Sequence, residues 1–250
     1  AGNNTGIGNG AGKAITTGTE NTLIGAFAGD ALQDADENIA IGVNALGVDT
    51  LGSGAVAIGN GALSTQNFES ATTNYNTAVG YRAGYVVTTG QLNTLIGGLT
   101  GDALTVGTYN VAVGASALST DTKGQNNTAL GYRALTTQNF TSPTNSYNTA
   151  VGADAGKEVT TGTQNTLIGA AAGDALGVAY SNVAVGFEAL TTDVNGRSST
   201  AIGTQALKVQ NYSSSTHSYN TAVGYTAGVA VTTGIRNTLI GAAAGDAIQD

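Results

Sequence analysis

The residues able to do chemistry are few, and their spacing does not concentrate them. His217 is the chain's single histidine and lies in a Ser/Thr-rich stretch, where a solvated side chain is the expected state. Asp30, Asp34, Asp36 and Glu37 form an acidic run whose carboxylates could offer oxygen ligands to calcium, the one weak metal candidate. Of these only Asp30 recurs, as Asp102, Asp174 and Asp246. At strand spacing those positions stand about 19 Å apart, too far to share an ion, so they read as turn or capping residues. The stretch Gly6 to Gly12 imitates a phosphate-binding glycine loop but lacks the helix and downstream acid that such a loop needs. Asp154 and Glu158 flank Lys157 as an exposed charge cluster. Paired carboxylates in a cleft would suggest a glycosidase, and no segment departs from the pattern below enough to build a cleft. Cysteine is absent, which removes thiol catalysis, disulfides and thiolate metal sites. No catalytic residue and no cofactor site is assigned, and an enzyme is not expected.

What must position these residues is a repeat. A glycine closes a short apolar or Thr-containing strand fourteen times, from Gly8 through Gly25, Gly80 and Gly97 to Gly241. The intervals run 17, 17, 17 and 21 residues, and that cycle recurs. A 72-residue superrepeat of four coils therefore covers 4–75, 76–147 and 148–219, with a partial fourth at 220–250, so residues 1–250 form one array. Self-similarity at a short fixed period marks a solenoid, whose units bury their apolar faces only by stacking. Helical periodicity is missing and Gly, Asn and Asp corners alternate with β-rich segments. The expected fold is all-β: a parallel β-solenoid, or β-roll, of 14 coils.

Composition is consistent with that expectation. The chain holds 38 Gly and 1 Pro without the every-third-residue spacing of collagen. Only 10% of residues are charged, so Asn, Thr, Ser and Gln must wet the surface, which suits lateral packing of chains. A net charge of -8 with 8 scattered Lys and Arg argues against nucleic acid. No apolar run approaches the ~20 residues of a membrane span. The chain begins and ends inside the repeat without polar caps, which predicts a piece of a longer array or end-to-end stacking into a filament.

Numbering each coil from the residue four before its glycine gives every position a role. Position 1 is Asn in twelve coils, among them Asn4, Asn21, Asn76 and Asn93, with Ala55 and Ser199 as exceptions. An Asn there can bond to the Asn of the next coil, forming a ladder at a corner. The glycine at position 5 reads as a corner with positive φ or a close backbone approach. Position 4 is always Ile, Val or Leu and is expected to fill the interior. Position 3 is also apolar in thirteen coils, as Ala or Leu. Strands apolar on both faces are buried on both, so one face is expected to meet a partner chain. A homotrimer is the preferred count.

The units Ile39 to Gly42 followed by Ala45-Leu46, and Ala55 to Gly59 followed by Ala62-Leu63, resemble the head repeats of trimeric autotransporter adhesins. The units Asn76 to Gly84 and Asn220 to Gly228 are similar to arrays in bacteriophage tail-fibre proteins. The resemblance implies a left-handed, trimeric β-roll outside the cell, at a cell surface or on a virion. The adhesin heads have shorter, uniform units than the 17/17/17/21 cycle, and no stalk, anchor or chaperone segment is present in this sequence.

The long fourth coil carries the one recurrent protrusion, with aromatic pairs Phe68 and Tyr75, Phe140 and Tyr147, and Tyr212 and Tyr219. Either these rings pack down and pin a polar loop, or they form a row of sites for sugars or a cell-surface receptor. The leading expectation is a structural shaft or fibre subunit, the alternative an adhesive module that binds a glycan or protein receptor through these loops. Ice binding is a weaker third, because the pairs Thr16-Thr17, Thr88-Thr89, Thr160-Thr161 and Thr232-Thr233 come only once per four coils.

Overall fold

A computed structural model describes residues 2–249 of the chain. The described residues contain only strands, turns and bends, with no helix. They form two compact units, Ala1–Gln125 with Thr141–Pro143, and Asn126–Phe140 with Thr144–Asp250. Each unit is a parallel β-solenoid of seven coils. In the first unit the three-residue strands run from Thr5–Ile7 and Thr22–Ile24 to Val111–Val113, each paired in parallel with the strand one coil on. In the second they run from Thr128–Leu130 to Thr238–Ile240 in the same way. The register repeats position for position: Thr22 faces Ile39, Leu23 faces Ala40 and Ile24 faces Ile41.

Four residues per coil, at positions 5, 7, 9 and the last one before the next coil, take positive φ, and thirty-one residues of this left-handed set are not glycine. Left-handed backbone costs roughly 1 kcal/mol per non-glycine residue, so the coil keeps it only because neighbouring coils hydrogen-bond through it. The amide of Asn44 at position 7 donates to Ala26 O at 3.0 Å, and that of Leu46 at position 9 donates to Ala62 O at 3.0 Å. Position 5 must be glycine for a second reason. A Cβ on Gly25 would stand 2.6 Å from the carbonyl oxygen of Gly42, the matching glycine of the next coil.

The interior explains the four-coil superrepeat. Position 9 is Gly in the first two coils, and a Cβ on Gly84 or Gly101 would strike the Leu95 methyls at 2.8 Å. Leucine at position 3 of the second coil thus fills the space those glycines leave. In the third and fourth coils the exchange is reversed: Leu46 and Leu63 occupy position 9, with Ala40 and Ala57 at position 3, all buried. Core volume is conserved while its source alternates. Ala at position 8 is buried from Ala28 to Ala227, and Thr100 replaces it by donating its hydroxyl to Gly114 O at 2.6 Å.

The orientation of the strands corrects one expectation. Position 3 points inward and is buried in every coil from Leu23 to Ala222, whereas the aliphatic residue at position 4 is nowhere fully buried and lies on the outer face with position 2. The solenoid is thin, and Ala or a Gly-compensated Leu is all that fits between the strand and the opposite wall. A β-branched side chain in every coil has no room there.

Candidate functional site

The buried asparagine ladder fixes the corner that feeds each strand. Asn93 donates from its backbone amide and from Nδ2 to Asn76 Oδ1, at 3.0 and 3.3 Å, and crosses the coil to Gly107 O at 2.8 Å. Asn21 makes the same bonds to Asn4 Oδ1, at 2.9 and 3.0 Å. The left-handed residue is the one before each Asn, such as Glu20 or Leu92, so the Asn serves as bonding partner and the preceding residue as the bend. Where Ala55 interrupts the ladder, Asn74 in the extension supplies the missing acceptor, taking the Asn76 amide at 2.9 Å. Where Ser199 interrupts it, Ser218 takes that place and bonds to Ser199.

A carboxylate that the sequence reading passed over lies beneath the extension. Asp49, Asp121 and Asp193 are fully buried at position 12 of the third coil. Asp49 accepts from Gln66 Nε2 at 2.6 Å, from Gly52 N at 3.0 Å and from Phe68 N at 3.3 Å. Gln66 in turn accepts from Asn76 Nδ2 at 2.8 Å, joining the acid to the asparagine ladder. Asp193, Gln210 and Asn220 repeat the chain of bonds. The signal was the 72-residue recurrence of this Asp followed by Gln66, Gln138 and Gln210. Burial pushes the Asp49 and Asp193 carboxyls above the usual range, and the hydrogen bonds from Gln66 or Gln210 and the backbone only partly offset it.

A raised folded pKa means that the native state binds the proton more tightly than the unfolded chain, so stability declines as pH rises from 3.8 through the raised value and is level above it. Thermal unfolding followed by circular dichroism is expected to show a higher midpoint near pH 4 than at pH 7. Asp49→Asn with Asp193→Asn should reduce that difference, leaving the part carried by Asp102 and Asp174, whose carboxyls burial also raises; an undiminished difference would assign all of it to other groups.

The aromatic pairs of the extension divide. Phe68, Phe140 and Tyr212 are buried, at 4%, 6% and 5% exposure, so as surface contacts they are corrected to core residues. Their rings fill the lengthened coil, and Tyr212 also donates its hydroxyl to Gly234 O at 2.7 Å, with burial pushing its phenol up to about 12. Tyr75, Tyr147 and Tyr219 stay exposed, at 63%, 54% and 54%, on left-handed backbone just before the next strand. The Asp carboxylates of the calcium candidate are engaged with neighbouring side chains and backbone. Asp30 pairs with Lys13 at 3.0 Å, Asp34 accepts from Thr17 at 2.7 Å, and Asp36 accepts from the Thr19 amide and hydroxyl. No group of three metal-ligating side chains forms among the described residues.

The outer strand face recurs in every coil. Position 2 is Thr in ten coils and Ile or Val in four, position 4 is always aliphatic, and position 6 is Ala, Gly, Asn, Thr, Val or aromatic. No charged residue occupies these positions in any coil, although the chain has 24 charged residues. No family model matches this chain. Nor does any curated protein or solved structure match it. The surface must therefore be interpreted from its own chemistry.

Proposed function

We propose that this chain is a structural shaft segment of an extracellular or virion fibre, assembled by packing the outer strand faces of several copies, three being the preferred number. The charge-free face of Thr and aliphatic rows, present in every coil, supports this reading. Seven rows at about 4.8 Å and a width of about 13 Å give roughly 440 Å² per unit. Each unit thus offers about half of the ~800 Å² that each partner contributes to a standard interface. Such a face suits another copy of itself, because Ile and Val rows meet without stranding a charge.

Sedimentation velocity tests the proposal: the expected particle has three times the 24.5 kDa mass of one chain. A monomer at tens of micromolar would overturn it. If that monomer also arrested ice recrystallisation, the Thr-x-aliphatic rows, present in ten of the fourteen coils, would belong to the ice reading. Adhesion to a glycan or protein receptor remains the second reading, now supported by exposed Tyr75, Tyr147 and Tyr219 rather than by the buried members of each pair.

A further inference from the structure

The scaffold positions barely change between superrepeats, while outward columns do, and one of them changes at every residue. Position 16 of the second and third coils, with the extension residue beside them, reads Asp36, Ser53 and Thr73 in the first superrepeat. The equivalent residues are Thr108, Gln125 and Asn145 in the second, and Tyr180, Arg197 and His217 in the third. The short strands Gly196–Arg197 and Thr216–His217 pair in parallel and set Arg197 beside His217. Arg197 lies over the Tyr180 ring, 4.1 Å from its centroid, and donates from Nη1 to the Tyr180 hydroxyl at 3.0 Å. His217 stacks on Tyr219 with centroids 5.4 Å apart and planes 12° from parallel, and meets Tyr180 edge-on at 5.8 Å. Its Nδ1 is 3.2 Å from the Ser198 hydroxyl.

We propose that Tyr180, Arg197, His217 and Tyr219 form a binding site for a carboxylate-bearing sugar. The chemistry has two parts. Exposed His217 and Tyr219 offer an aromatic platform to the apolar face of a pyranose ring, a contact that tolerates solvent. The Arg197 guanidinium, held rigid against Tyr180, gives the surface a fixed positive charge for the carboxylate. Exposed Arg236 follows Tyr219 in the column of residues that immediately precede each new coil. No acidic residue occurs in 177–181, 194–198, 213–219 or 232–236, so in a chain of net charge -8 this surface is locally cationic. A neutral sugar would use the platform alone. An acidic one uses both parts. The site rests on the adhesion reading and is independent of the shaft reading.

The experiment uses the full chain and exploits its single histidine, whose ring C–H signals are unambiguous in a carbon-13 correlation spectrum. Titration with 3′-sialyllactose is expected to shift the His217 signals, whereas lactose, which has only the platform to hold it, should shift them far less at the same concentration. Arg197→Gln should weaken the effect by about tenfold or more, since a charge-assisted bond is lost. Tyr219→Ala should weaken it at least as much, and because Tyr219 is exposed the variant keeps its fold. Unmoved signals at high millimolar sialyllactose, equal shifts with lactose, or full affinity in Tyr219→Ala would each overturn the site. Cell attachment that depends on Tyr75 and Tyr147 with silent His217 signals would likewise overturn it while leaving adhesion standing.

Discussion

Gly25→Ala is expected to destabilise the first unit by about 3 to 5 kcal/mol, among the largest losses a single methyl group can cause. Gly25 has φ of +134°, a region open to glycine and almost closed to other residues. The added Cβ would also stand 2.6 Å from Gly42 O and 2.7 Å from Gly42 C, both backbone atoms. Gly42 cannot retreat, because its own next neighbour is Gly59 in the same relation. Strain at one coil is therefore passed along the stack instead of being absorbed by a side chain. Urea unfolding followed by circular dichroism measures the loss. Gly98→Ala is the control: Gly98 has no atom within 4 Å of its would-be Cβ and no positive φ, so a change within about 0.5 kcal/mol is expected. Equal destabilisation by the two substitutions would sink the close-approach explanation.

The same glycines show what sequence can and cannot convey. Their spacing gave the coils, the parallel register and the corner, since each is a consequence of chain geometry that repeats without exception. The asparagine ladder was legible for a similar reason, because a buried amide at one position in twelve coils has few roles other than bonding to its own copies. The inward face was not legible from type alone. Leu23 and Ile24 are both apolar, and strand alternation says only that they point opposite ways. The distinguishing signal was compensation: the two glycines at position 9 of the first and second coils share the one Leu at position 3 of the second, while position 4 trades with nothing. Phe68 and Tyr75 were alike in type and differ in burial because the Phe68 amide is tied to Asp49, a contact that spans 19 residues of sequence. Arg197 and His217 carried no periodic signal at all. They stand out only once the coils are stacked and their column is compared across superrepeats.

Lysine at Ile58 in the first unit and at Ile168 in the second is expected to convert the assembly to single chains. Both side chains sit at position 4 on the outer face, so the substitutions leave the interior untouched and the circular dichroism spectrum should be unchanged. In a symmetric assembly each new ammonium meets its own copies on a face that offers no carboxylate at positions 2, 4 or 6. An unpaired charge buried in an interface costs about 3 to 5 kcal/mol, enough to weaken association by about a hundredfold or more. Sedimentation velocity at matched concentration reads the result directly. A comparison with Lys at Val178, an exposed residue outside the strand face, separates this effect from a general change in charge. If the strand-face variant keeps the mass of the unaltered protein, these rows are not the contact surface. The apolar residues on the outside of every coil would then serve something other than a second copy of the chain.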